Sequence, residues 1–102
     1  MALIFHITPH QQWETAQAEG VYRCESLGTE GFIHCSTSAQ VVKVANALFR
    51  GQQGLVLLEI ESDRLQAELR YDEIEGGEIF PHLYGALNLD AVTQVIDFPA
   101  SA

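Results

Sequence analysis

Apolar and polar positions along this chain group into short runs, and each run predicts an element. ALIFHIT, residues 2–8, has the apolar density of a first strand. TPHQQWETAQAEG then reads as a helix, with Thr8 as N-cap, Pro9 in the first helical position, Gln11 completing a capping box and Gly20 stopping it. Trp13, Ala16 and Gln17 fall at helical spacing, so Trp13 is expected to pack back on a sheet. VYRCESLGTE reads as a strand end and a turn-rich loop. GFIHCS is a short strand with Ile33 and Cys35 on one face and Phe32 and His34 on the other. TSAQVVKVANALFRG predicts a second helix over residues 37–50, with Val41, Val44, Ala45, Leu48 and Phe49 as its buried stripe, Thr37 and Gln40 as a capping box and Gly51 just past its end.

The second half is strand-rich. GLVLLEI is a continuous apolar run, the pattern of a central strand covered on both faces, and the helix stripe is expected to lie on it. ELRYDEI alternates and belongs nearer an edge. EIFPHLYG is a short strand broken by Pro81, and AVTQVIDF is the last strand. Helices early and strands late argue for an α+β fold with two helices on a bent, largely antiparallel sheet. A chain of 102 residues supports one core, hence a single domain spanning residues 1–102.

Composition narrows the function classes. With 14 acidic residues against 5 basic ones the net charge is −9, and Arg23, Lys43, Arg50, Arg64 and Arg70 are scattered. Nothing here forms the basic patch that neutralises phosphates, so nucleic acid is not an expected partner. No apolar run approaches the roughly 20 residues of a membrane span, and the opening residues lack the basic region of a signal peptide. The protein is therefore expected in the cytoplasm, with Cys24 and Cys35 reduced.

The candidate chemistry lies in three histidines in similar settings: FHIT at His6, FIHCS at His34 and FPHLYG at His82. A ring in or beside an apolar strand needs a partner or costs stability, and one such histidine is ordinarily structural. Three together suggest a shared pocket. His10, in a first helical turn, is expected to be exposed. Zinc is the alternative, but no CxxC, HxxxH or HExxH spacing is present, and Cys35 faces away from His34. Cys35 as a nucleophile would need a stabilised thiolate, whereas a cysteine on an apolar strand face is usually inert core. Ser36, Thr37 and Ser38 lie where a strand meets a helix start, suited to capping or to presenting hydroxyls to a ligand. His82 and Tyr84, two residues apart, share a strand face that suits either packing or stacking on a planar ring.

FHIT, GFIHCS, VANALF, LVLLEI and FPHLYGAL together resemble the domain-of-unknown-function family 952 over essentially the whole chain; YDE holds Asp72 where that family more often has glutamate. The family is similar in fold to ADP-ribosyltransferases and tRNA 2′-phosphotransferases. That resemblance implies an ADP-ribosylation-like fold and an NAD-like or nucleotide ligand, with NAD as the implied cofactor. It implies that His6 and Thr8 hold a ribose, that His34 and Ser36 line the pocket beside His82 and Tyr84, and that Glu78 or Asp72 stabilises positive charge as nicotinamide leaves. The transferases' phosphate-holding arginines are reduced here to Arg23. The competing expectation is a non-catalytic module that binds a small metabolite or a protein tail in the same cleft.

Overall fold

The computed structural model describes residues 2–98. Strand β1 (Leu3–Pro9) leads to helix α1 (His10–Glu19), a two-residue strand β2 (Val21–Tyr22), helix α2 (Glu25–Thr29), strand β3 (Ile33–His34) and helix α3 (Val41–Leu48). Strands β4 (Leu55–Glu61), β5 (Glu68–Glu73), β6 (Ile79–Tyr84), β7 (Leu87–Asn88) and β8 (Val92–Phe98) follow, with short 3-10 turns at Ser62–Arg64 and Leu89–Ala91. Every strand pair is antiparallel, in three small sheets ordered β1-β4-β8, β2-β7 and β3-β6-β5. The fold is α+β, with three helices in place of the expected two and the expected bent sheet divided into three. The extra helix, α2, is the stretch read as loop; five residues with a glycine inside are too few to show a helical period.

The central strand is where the apolar run placed it. β4 lies between β1 and β8, and its side chains divide between two cores. Val56, Leu58 and Ile60 join Ile4, Trp13, Tyr22, Ile33 and Leu83 in the larger one. Leu55 and Leu57 join Ile7, Val41 and Ala45 in the smaller. Burial on both faces explains why LVLLEI is continuous and does not alternate.

Helix α1 starts differently from the expectation. The His10 amide donates to the Gly54 carbonyl at 2.7 Å, and no side chain caps the helix. Thr8, freed from capping, is a buried strand residue whose hydroxyl reaches Gln12 Oε1 at 3.2 Å. Gly20 does end the helix, in the left-handed conformation at φ 86°, its amide donating to the Ala16 carbonyl; Trp13 and Ala16 are buried.

For α3, half of the expected capping box forms, since Gln40 Oε1 accepts from the Thr37 amide at 3.0 Å, but residues 37–40 make a turn and the helix proper begins at Val41. Of the predicted stripe, Val41 and Ala45 are buried, Val44 and Phe49 are half-buried and Leu48 is 68% exposed. Val44, Leu48 and Phe49 border a cavity.

Pro81 does not break its strand: β6 is continuous and central in its sheet. The Pro81 carbonyl accepts from the Cys35 amide at 3.0 Å, and paired β3 extends only over Ile33 and His34. Proline's missing donor therefore falls where the ladder ends.

Candidate functional site

Sheet β3-β6-β5 separates packing from chemistry by the period of two inherent in any strand. In register, Ile33 pairs with Leu83 and Leu83 with Leu69, and this row packs into the larger core. His34 pairs with His82 and His82 with Arg70, while Asp72 pairs with Phe80 and Glu68 with Tyr84. The even-numbered face thus gathers two histidines, a tyrosine, an aspartate and an arginine from segments nearly fifty residues apart. Phe32 completes it, stacked on the His82 ring with centroids 4.1 Å apart and planes at 18°.

β1 joins this face through a bridge in which Phe5 and Ser36 exchange backbone hydrogen bonds of 2.7 and 2.8 Å. Between them and α3 lies a cavity of about 350 Å³. One wall is apolar, formed by Val44 and Leu48 of α3 and its C-cap Phe49 with Phe80 and Ile74; the other carries His34, Ser36 and His82, with His6 behind. Among the described residues that line it there is no Asp, Glu, Lys or Arg.

The three histidines are in different states. His6 Nδ1 donates to the His34 carbonyl at 2.6 Å, and its Nε2 is 2.8 Å from the Tyr22 hydroxyl, which also lies 2.9 Å from Thr8 Oγ1. Burial pulls the His6 pKa down to about 4, against the raising effect of the His34 carbonyl bond, so the ring is neutral near pH 7. Both nitrogens are engaged, and His6 ties β3 to β1. Thr8 is turned to the same interior network and does not line the cavity. The pair implied to hold a ribose is therefore occupied by the protein itself.

His34 is exposed, with Nε2 3.1 Å from Glu30 Oε2. His82 is only 4% exposed, and its Nδ1 donates to Asp72 Oδ2 at 2.9 Å. The same oxygen accepts the Tyr84 hydroxyl proton. The Tyr84 and His82 hydrogen bonds together hold the Asp72 carboxyl below its ordinary range, and the carboxylate in turn raises Tyr84. Arg70 lies 4.7 Å from the Tyr84 ring centroid and pairs with Glu68 at 2.9 Å. Tyr84 and Asp72 thus flank the cavity without lining it.

Cys35 does line it, but burial pushes its thiol pKa up to about 12, leaving a protonated thiol and no nucleophile. Glu78, expected as a catalytic acid, is held on the surface by Lys43 Nζ at 2.6 Å and Gln40 Nε2 at 3.2 Å, away from the cavity lining. Glu78→Gln is accordingly expected to cost no more than about 1 kcal/mol in urea unfolding, the ordinary worth of an exposed pair.

The sequence reading missed Tyr22, Glu30 and Phe80, together with the role of α3 as a cavity wall. Phe32 was placed on the correct face, but its stack on His82 depends on a strand register that no local pattern states.

A family model described as a protein of unknown function (DUF952) matches residues 7–95. The crystal structure of protein CC0527 from Caulobacter crescentus matches at 37% identity with a TM-score of 0.88, covering 95% of this chain and 86% of that one. The solution NMR structure of CC0527 matches at 38% identity with a TM-score of 0.82, covering 95% and 84%. No curated protein matches the chain. With the family model spanning most of its length and a solved relative more than one-third identical across nearly all of it, the chain belongs to the DUF952 family.

Proposed function

We propose that the cavity binds the uncharged base-and-ribose end of a nucleotide or NAD-like ligand, and that the protein is a binding module for it. The observation that carries this reading is His82, fixed by Asp72 and stacked on Phe32, beside a cavity of about 350 Å³ with one apolar wall and one hydrogen-bonding wall. That volume is at the small end of the range for ligand sites and the mixed lining is typical of them. A planar base suits Phe80, Phe49 and Val44; ribose hydroxyls suit Ser36, His34 and His82.

The lack of charged lining residues selects which part of such a ligand enters. Burying a phosphate or a cationic nicotinamide against uncharged walls is costly, whereas an adenosine-like end brings no charge. The resemblance to ADP-ribosyl-transferring enzymes supports a nucleotide ligand, and a cytoplasmic location, where such ligands abound, accords with it. Binding is preferred over catalysis because no carboxylate reaches the cavity directly: Asp72 and Glu30 each act on a histidine, and Glu78 on Lys43.

A thermal-shift screen with adenosine, AMP, NAD and nicotinamide riboside tests this. Adenosine and AMP are expected to raise Tm, since a ligand at 100 times its Kd adds about 2.7 kcal/mol, and the cationic nicotinamide riboside is expected to do less. His34→Ala should change stability by no more than about 0.5 kcal/mol, because the ring is exposed, yet weaken adenosine binding roughly 3- to 10-fold, the worth of a neutral hydrogen bond. Adenosine and AMP both leaving Tm unmoved, or His34→Ala binding adenosine as well as the parent protein, would sink the nucleoside reading.

A further inference from the structure

We infer that Asp72 is a positioning residue that holds the uncharged form of the His82 ring in one tautomer, proton on Nδ1 and lone pair on Nε2, so that the site selects ligands presenting a hydroxyl or N–H donor to that nitrogen. This rests on the proposal that the cavity binds a small molecule, but not on the ligand being a nucleoside.

The geometry leaves the ring little freedom. An ionised carboxylate only accepts, so the 2.9 Å contact with Asp72 Oδ2 requires the proton on Nδ1 of His82. Tyr84 donates to the same oxygen, fixing the carboxylate from a second side. Phe32 stacked at 4.1 Å holds the ring plane, and the His34 ring meets it edge-on at 5.3 Å. Rotation of His82 away from Asp72 would break a hydrogen bond and a stack together.

The other nitrogen is the free one. Nε2 has no hydrogen-bond partner among the described residues, while no fully buried side-chain nitrogen or oxygen there is left without one, so Nε2 keeps access to the space outside the ring. His82 lines the cavity, and it is otherwise almost wholly enclosed. A ligand group meeting Nε2 must supply the proton of the hydrogen bond, because in that tautomer the nitrogen has none. An ether or carbonyl oxygen at the same place would leave two acceptors facing each other, which is how a site built around one hydrogen bond rejects an analogue that lacks it.

The test uses the whole protein labelled with ¹⁵N at histidine, at pH 8.5, where free histidine is neutral. The ¹⁵N shifts of His82 are expected to show a protonated Nδ1 and an unprotonated Nε2. Tyr84→Phe should preserve that pattern, because the carboxylate remains. Asp72→Ala should lose it and give mixed tautomers, a change that mere loosening of the edge strand would not produce. Phenol and anisole then serve as paired probes, one with a hydroxyl donor and the other with a methyl ether in its place. Phenol is expected to move the Nε2 shift and to bind at least several-fold more tightly than anisole, and Asp72→Ala should erase the difference. A protonated Nε2 in the parent protein, an unchanged pattern in Asp72→Ala, or phenol that binds no better than anisole or leaves Nε2 unmoved would each overturn the inference. The adenosine screen reads the nucleoside proposal separately, so either can fail alone.

Discussion

Lowering the pH from about 6.5 to about 4 is expected to cost the fold about 3 kcal/mol through His6 alone, and His6→Gln is expected to remove most of that loss. The unfolded chain carries His6 at the ordinary value of 6.5, whereas the folded protein holds it at about 4 because burial disfavours the charged ring. Between those two values the unfolded state binds a proton that the folded state refuses, so stability rises with pH across the window and is lost as pH falls through it. At 1.36 kcal/mol per pH unit the gap corresponds to about 3 kcal/mol, a large part of the roughly 5–15 kcal/mol that holds a small domain together. Asp72, held below the ordinary carboxylate range, gives up its contribution only at lower pH and does not confuse the window. Glutamine does not titrate, and its amide offers a donor for the His34 carbonyl. Urea unfolding at steps from pH 7 to pH 4.5 measures both proteins. Parallel curves for the parent and His6→Gln would show that His6 does not carry the effect.

The difference in fate among the histidines marks how far the sequence can be read. All three sit in look-alike strings, and strand alternation correctly set His34 opposite Cys35. Alternation within one strand cannot say what covers a face, however. β1 alternates like the others, but its even residues Ile4, His6 and Thr8 face the larger core and the Tyr22 hydroxyl, whereas His34 and His82 share an outer face because β3 and β6 pair in that register. Tyr22 gave no signal, since it lies in a two-residue strand whose partner, Leu87, is far along the chain.

The α3 stripe makes the same point about packing. Its helical period was legible, and Val41 and Ala45 are buried as that period requires. Which stripe residues would be left uncovered was not legible, because this depends on what the tertiary fold packs against each position. Val44, Leu48 and Phe49, with Phe80 and Ile74, make the apolar wall of the candidate site. The edge strand β5 was expected from its alternation, but the use of Asp72 to hold His82 required the β5-β6 register, which no local pattern contains. Acids were expected to act on the ligand. Here Asp72 holds His82, and Glu78 is paired with Lys43 on the surface.

Tyr22→Ala is expected to be the most damaging single substitution, lowering stability by about 3–5 kcal/mol, the cost of deleting a large aromatic from a packed core. Tyr22 is 1% exposed and touches both halves of the architecture, packing with Ile4, Ile33 and Leu83 while its hydroxyl meets His6 and Thr8. Tyr22→Phe separates the two roles. It keeps the ring but leaves His6 Nε2 and the Thr8 hydroxyl short of a buried partner, at an expected cost of about 1–3 kcal/mol. Because His6 and Tyr22 bond directly, their substitutions should not add: Tyr22→Phe in a His6→Gln background is expected to differ from its cost in the parent by at least about 0.5 kcal/mol. The damage should also reach the site, since His6 holds the His34 carbonyl through its other nitrogen and the ring stays oriented only while Tyr22 holds it. Adenosine affinity in Tyr22→Phe is therefore expected to fall although Tyr22 does not line the cavity. Urea unfolding of the single and double variants, with the adenosine titration alongside, measures all of this. Additive costs would show that the Tyr22 hydroxyl and His6 act independently, and a Tyr22→Ala protein within 1 kcal/mol of the parent would refute the central place given to this side chain.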